Sequence, residues 1–110
     1  MKNLRYLDAD KVRMYSMISL SIENGLGLVD AIDAGISDVK NSVLREAYGF
    51  VKRRIEAGDN LSEAMSRGLC SSLFYEHEIE TIRVNEDVGD LSFAIDRLTN
   101  LLGNSGYSLT

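Results

Sequence analysis

Glu23-Asn24-Gly25-Leu26-Gly27-Leu28-Val29-Asp30-Ala31-Ile32 is the stretch that decides the fold. Gly25 is the natural left-handed stop of one helix, and Leu28, Ala31 and Ile32 form the apolar stripe of a second that starts directly after it. Two helices joined by so short a turn must lie side by side and run in opposite directions. Upstream, Val12, Tyr15, Ile18 and Ile22, with Met14 beside them, share one face and predict a helix from about Asp10 to Asn24. Downstream, Gly35 is expected to end the second, short helix near Ala34, with Asp30 and Asp33 on its outer side.

The same punctuation recurs to the end of the chain. A third helix is expected from Asp38 or Val39 to Ala57, burying Val43, Leu44, Ala47, Tyr48, Phe50, Val51 and Ile55 and closed by Gly58. Lys52, Arg53 and Arg54 in its last turn complement the negative helix end. Asn60-Leu61-Ser62-Glu63 has the form of a capping box and opens a short fourth helix that Gly68 ends. Ser71 or Ser72 is the expected cap of a fifth helix through Phe74, Ile79, Ile82 and Val84, stopping at Gly89. Asp90 caps a sixth, with Leu91, Ala94, Ile95, Leu98, Leu101 and Leu102 on one stripe and Gly103 as its stop. With no run of alternating β-branched residues, the fold class is all-α: a compact antiparallel six-helix bundle. Residues 1–9 form an N-terminal leader, 10–102 the helical domain, and the polar, glycine-containing stretch 103–110 a flexible tail.

Bulk chemistry narrows the function. The chain has 110 residues and a net charge of −5, which disfavours nucleic acid and anionic lipid and favours a basic partner surface. It has one cysteine, Cys70, so no internal disulfide is possible, and one histidine, His77, flanked by Glu76 and Glu78 on what reads as a solvated acidic helix face. Neither a phosphate-binding G-x-x-x-x-G-K-[ST] nor a dinucleotide fingerprint is present, and Gly25-Leu26-Gly27 follows a helix rather than a strand. No catalytic or cofactor-binding constellation emerges, so the expectation is a protein that is not an enzyme. Glu86, Asp87 and Asp90 surround one helix junction; they are weak candidates for a divalent cation, against the plainer reading of a helix end followed by an Asp N-cap. Phe93 and Leu20 fall off the apolar stripes of their helices and hint at contact with another helix or at a homo-oligomer. No run of 18 apolar residues occurs, and the N-terminus lacks the apolar core of a secretory signal.

Three phrases, in order, resemble the cytoplasmic domain of the type II secretion F family, the inner-membrane platform proteins of type II secretion and type IV pilus assembly. Tyr15, Ile18, Ile22, Gly25, Leu26, Leu28, Ala31 and Ile32 fall into the family's F-x-x-x-L-x-x-L-x-x-A-G-L-P-L-x-x-A-L, with Gly27 where Pro is frequent. Gly58, Leu61, Ser62, Glu63, Ala64 and Met65 match G-x-S-L-S-E-A-L. Glu86, Gly89, Leu91 and Ile95 match G-E-x-S-G-x-L-x-x-x-L, with Asn85 and Val88 replacing the usual Gly and Ser, and Phe74 is similar to the Phe of an F-P pair whose Pro is absent. The resemblance spans residues 10–102 and marks Gly25, Gly58 and Gly89 as the structural helix junctions.

The resemblance implies a non-enzymatic domain on the cytoplasmic face of the bacterial inner membrane, without cofactor. It would couple a secretion or pilus-assembly ATPase and other inner-membrane assembly proteins to filament growth, and reach the membrane only through spans that follow this chain. Because the similar region begins at residue 10, a type IV pilus platform is favoured over a type II secretion platform. Glu76, Glu78, Glu80, Glu86, Asp87 and Asp90 are the expected partner face. A soluble helical adaptor or regulator without membrane anchor is the alternative.

Overall fold

The computed structural model describes residues 5–107. Six α-helices follow one another: α1 (Arg5–Glu23), α2 (Leu28–Asp38), α3 (Ser42–Glu56), α4 (Leu61–Met65), α5 (Glu76–Val88) and α6 (Leu91–Tyr107), with a 3-10 segment at Leu69–Leu73 before α5. Among the described residues there is no strand.

α1 is the central helix, packed along α6 on one side and α2 on the other. Ser19 Oγ donates to Asp96 Oδ1 at 2.6 Å, so the end of α1 lies beside the start of α6. Only opposite directions then keep the two helices side by side along their lengths. α1 starts well before Asp10, inside the expected leader, because its buried stripe starts earlier: Leu7, Lys11, Met14 and Ile18 recur every three or four residues and all are buried.

Four other boundaries differ from the sequence expectation, each for a local reason. α2 continues through Gly35 to Asp38, because Gly35 is an interior helical residue where the backbone of α2 crosses Met14 of α1. α3 starts at Ser42: Asn41 Oδ1 accepts from Leu44 N at 3.0 Å, and Val39, buried, sits in the preceding turn. α5 starts at Glu76 rather than at a serine cap. Residues 69–73 close a 3-10 turn in which Ser71 Oγ donates to the Gly68 carbonyl, and Phe74 plugs the core at full burial. α6 passes through Gly103 to Tyr107, since Gly103 does not take the left-handed angle that stops a helix, and a glycine within a helix costs only about 1 kcal/mol. The expected capping box at α4 is present: Asn60 Oδ1 accepts from Glu63 N at 2.9 Å and Glu63 Oε1 accepts from Asn60 N at 3.0 Å.

The core is a single cluster drawn from all six helices, including Met14, Ile18, Ile32, Leu44, Val51, Met65, Phe74, Ile82, Ile95 and Leu98. Tyr48 stands edge-on to Tyr15 (centroids 6.2 Å) and to Phe74 (5.5 Å), joining α1, α3 and the segment before α5.

Candidate functional site

Glu78 does not belong to the partner face. Its position on α5, one residue past His77, turns its side chain inward, where it is fully buried. There Lys11 Nζ lies 2.8 Å from its Oε2, both side chains having 0% exposure. The Tyr15 hydroxyl donates to Oε1 at 2.7 Å, and the Tyr75 backbone N–H donates to Oε2 at 2.7 Å. The ammonium sits 4.5 Å from the centre of the Tyr75 ring. This ionic knot fastens α1 to the start of α5 in the middle of an apolar core. A buried pair of this kind holds only because each charge is matched and hydrogen-bonded.

The phenols around it carry its imprint. Burial, reinforced by the Glu78 charge, raises the Tyr15 and Tyr48 hydroxyls well above their ordinary range. Burial and the nearby Asp8 carboxylate push Tyr75 up to about 12. Asp8 is itself buried, and desolvation raises its carboxyl although Lys11 pulls the other way. Sequence reasoning missed this cluster. The signal was there: Lys11 occupies the apolar stripe of α1, midway between Leu7 and Met14/Tyr15.

The remaining predicted acids separate into two groups. Glu76, Glu80, Asp87 and Asp90 are exposed. Glu86 is half-buried and turned toward α4, where it accepts from Ser62 N at 3.1 Å and Ser62 Oγ at 2.5 Å. It thereby caps the start of α4 instead of facing a partner. Asp90 Oδ1 accepts from Phe93 N at 3.1 Å as the N-cap of α6. The weak cation candidates Glu86, Asp87 and Asp90 thus do not converge, because two of the three are spent on different helix starts; among the described residues no group of three metal-ligating side chains is brought together. His77 is exposed and stacks on Tyr75, ring centres 5.1 Å apart. The side chain of Cys70 lies outside the described residues.

The junction glycines Gly25, Gly58 and Gly89 all take left-handed backbone angles, φ +94°, +114° and +77°. The basic stretch of α3 is partly neutralised: Lys52 pairs with Asp33 at 2.9 Å, and Arg54 and Arg67 both pair with Asp59, at 2.9 and 2.8 Å. The Arg54 hydrogen bond, helped by Arg67, holds the Asp59 carboxyl below its ordinary range. The negative charge is concentrated elsewhere. Residues 76–107, which are α5, the turn at Asp90 and α6, carry seven carboxylates against two arginines, so the whole net charge of −5 belongs to this hairpin and the rest of the chain balances to zero. The same two helices leave Val84, Val88 and Phe93 exposed, at 54%, 74% and 53%. No described helix is long and apolar enough to cross a membrane.

These features define a small helical scaffold, ionically pinned inside and acidic along one helical hairpin. The profile of the family described as type II secretion system (T2SS), protein F, matches residues 14–105, and the chain belongs to that family. No curated protein matches the chain. Membership places it among the inner-membrane platform proteins of type II secretion and pilus assembly.

Proposed function

We propose that this domain couples a secretion ATPase on the cytoplasmic face of the inner membrane to type IV pilus assembly, acting as a mechanical and docking part without chemistry of its own. The observation that carries the reading is the family match over residues 14–105. The interior supports it: a densely packed bundle moves as a unit, and the Lys11–Glu78 pair resists sliding of α1 against α5. Exposed carboxylates at Glu76, Glu80, Asp87 and Asp90 offer a basic partner a complementary surface.

The test is made in the native cell. The gene is deleted and complemented with a chromosomally tagged copy carrying a photo-crosslinking residue at Glu76 or Asp87. Loss of surface pili on deletion, recovery of the product with the membrane fraction, and a crosslink to the pilus-assembly ATPase are expected. Normal piliation after deletion, or a product found in the cytosol without an ATPase crosslink, would refute the proposal and return a soluble adaptor. Loss of secreted enzymes with intact pili would move the assignment to a type II secretion platform.

A further inference from the structure

Two stripes run side by side along the outer surface of α5. Glu76, Glu80, Arg83 and Asp87 are spaced by four, three and four residues, and so are His77, Thr81, Val84 and Val88. At helical geometry each set forms one line, and the two lines lie about 100° apart at most, as neighbours on the same outward surface. Arg83 is paired to Glu80, which leaves the first line net negative. The second line ends on two exposed valines one turn apart. Gly89 and Asp90 then turn the chain, and Phe93 opens α6, its N–H held by Asp90.

Val84, Val88 and Phe93 are no part of the core that Ile79, Ile82, Leu91, Ala94, Ile95, Leu98 and Leu102 of these helices build. Elsewhere among the described residues the exposed large apolar residues stand far apart along the chain: Tyr6 and Leu20 on α1, Leu26 in a turn, Val43 on α3 and Leu101 on α6. Among the described residues, only on α5 do two stand at i, i+4, and there they lie beside acids, within the hairpin that, with Asp90 at its turn, holds the chain's whole net charge. An acidic line beside an apolar line is the complement of a helix with lysines or arginines on one side and leucines on the other. Anionic lipid is repelled by the same charge. A second copy would set this acidic surface against itself.

We infer that the outer face of the α5–α6 hairpin, with Val84, Val88 and Phe93 beside Glu80, Asp87 and Asp90, docks a cationic amphipathic helix of an assembly partner. The inference rests on the function proposed above and supplies the chemistry by which that partner is recognised. Three anchors are few, so the contact is a transient one, formed and released as the machine works.

The probe is a synthetic 18-residue peptide with leucines at i, i+3, i+4 and i+7 and lysines elsewhere, titrated by fluorescence anisotropy against the 110-residue chain at low and high salt. Binding is expected that weakens at high salt, and V84S/V88S should weaken it about tenfold. E80Q/D87N should weaken it comparably and flatten the salt dependence, while L20S, equally exposed on α1, should leave it unchanged; circular dichroism confirms that each variant folds. Equal binding by V84S/V88S and wild type, or equal loss with L20S, would overturn the inference. Concentration-dependent dimerisation of the wild type that V84S/V88S abolishes would also overturn it, by giving the face to a second copy. The same variants enter the cellular crosslinking assay. An ATPase crosslink that survives V84S/V88S overturns this docking site while the coupling function stands. Peptide binding that follows the variants, with no ATPase crosslink even in wild type, supports the site and refutes the ATPase as its partner.

Discussion

Replacing Lys11 with methionine tests the ionic knot most directly. Methionine matches the length of the aliphatic stem and fits an apolar interior, so little packing is lost. Glu78 would keep the Tyr15 hydroxyl and the Tyr75 N–H, at 2.7 Å each, but lose the ammonium 2.8 Å away, with no water-exposed route for its charge because the side chain is fully buried. Removing one partner of a buried pair costs about 3–5 kcal/mol. A domain of this size gains or loses roughly 4 °C in Tm per kcal/mol, so the expected drop is about 12–20 °C. E78Q keeps the acceptor for Tyr15 and leaves the ammonium unpaired, and should cost a similar amount. The double variant K11M/E78Q removes both charges and should recover at least half of the summed single losses, a coupling of about 3 kcal/mol or more. Urea unfolding followed by circular dichroism measures all three. A K11M loss below about 1 kcal/mol, the worth of a surface pair, would refute the claim that this contact is buried and matched.

Gly35→Ala should destabilise by about 1–2 kcal/mol despite better helix propensity, since its Cβ would stand 2.6 Å from Met14 Sδ and 2.9 Å from Met14 Cε in a packed core; Met14→Ala in the same chain should relieve part of the clash, read as non-additive urea midpoints. Gly89→Ala should cost about 1–2 kcal/mol through backbone strain alone, because φ is +77° and the Cβ would meet nothing within 4 Å, and Gly89→Asn should cost less. Asp8 and Asp59 should act oppositely with pH. The buried Asp8 has its folded pKa raised above the ordinary 3.8, so its ionisation opposes folding and stability falls as pH rises from 3.8 through the folded value; Asp8→Asn should abolish that fall and gain on wild type above the window. Asp59, held low by Arg54 and Arg67, contributes stability present above 3.8 and lost as pH falls through its folded value, so Asp59→Asn should lose stability at neutral pH and approach wild type in acid; urea midpoints between pH 2.5 and 7 separate the two.

Much of the local structure follows from residues close together in the chain. The Asn60/Glu63 capping box, the Asp90 cap and the glycine stops at 25, 58 and 89 are each made by groups within a few residues, and all stand in the structure. Gly35 shows the limit of such reading. A glycine after an apolar stripe looks like a stop, yet here it stays helical to admit Met14 from another helix, and sequence spacing does not reveal that crossing. Ser71 fails as a helix cap for a related reason: Phe74 and Tyr75 are drawn into the core and the knot, which fixes where α5 can begin.

The acidic helix face is the clearest division between what sequence and tertiary structure decide. The sequence by itself determined the helices, their antiparallel order, the family and the concentration of negative charge in the last third of the chain, because periodicity, capping and composition are local or additive properties. Only the tertiary structure decided which carboxylates meet solvent. Glu78 lies between two acids that read alike, yet its fate is set by Lys11, 67 residues away, which meets it at 2.8 Å once the bundle has packed. Glu86 is settled in the same way by Ser62, 24 residues away. A carboxylate inside a bundle survives through its partners, and those partners are brought to it by packing across the core, which no local pattern encodes.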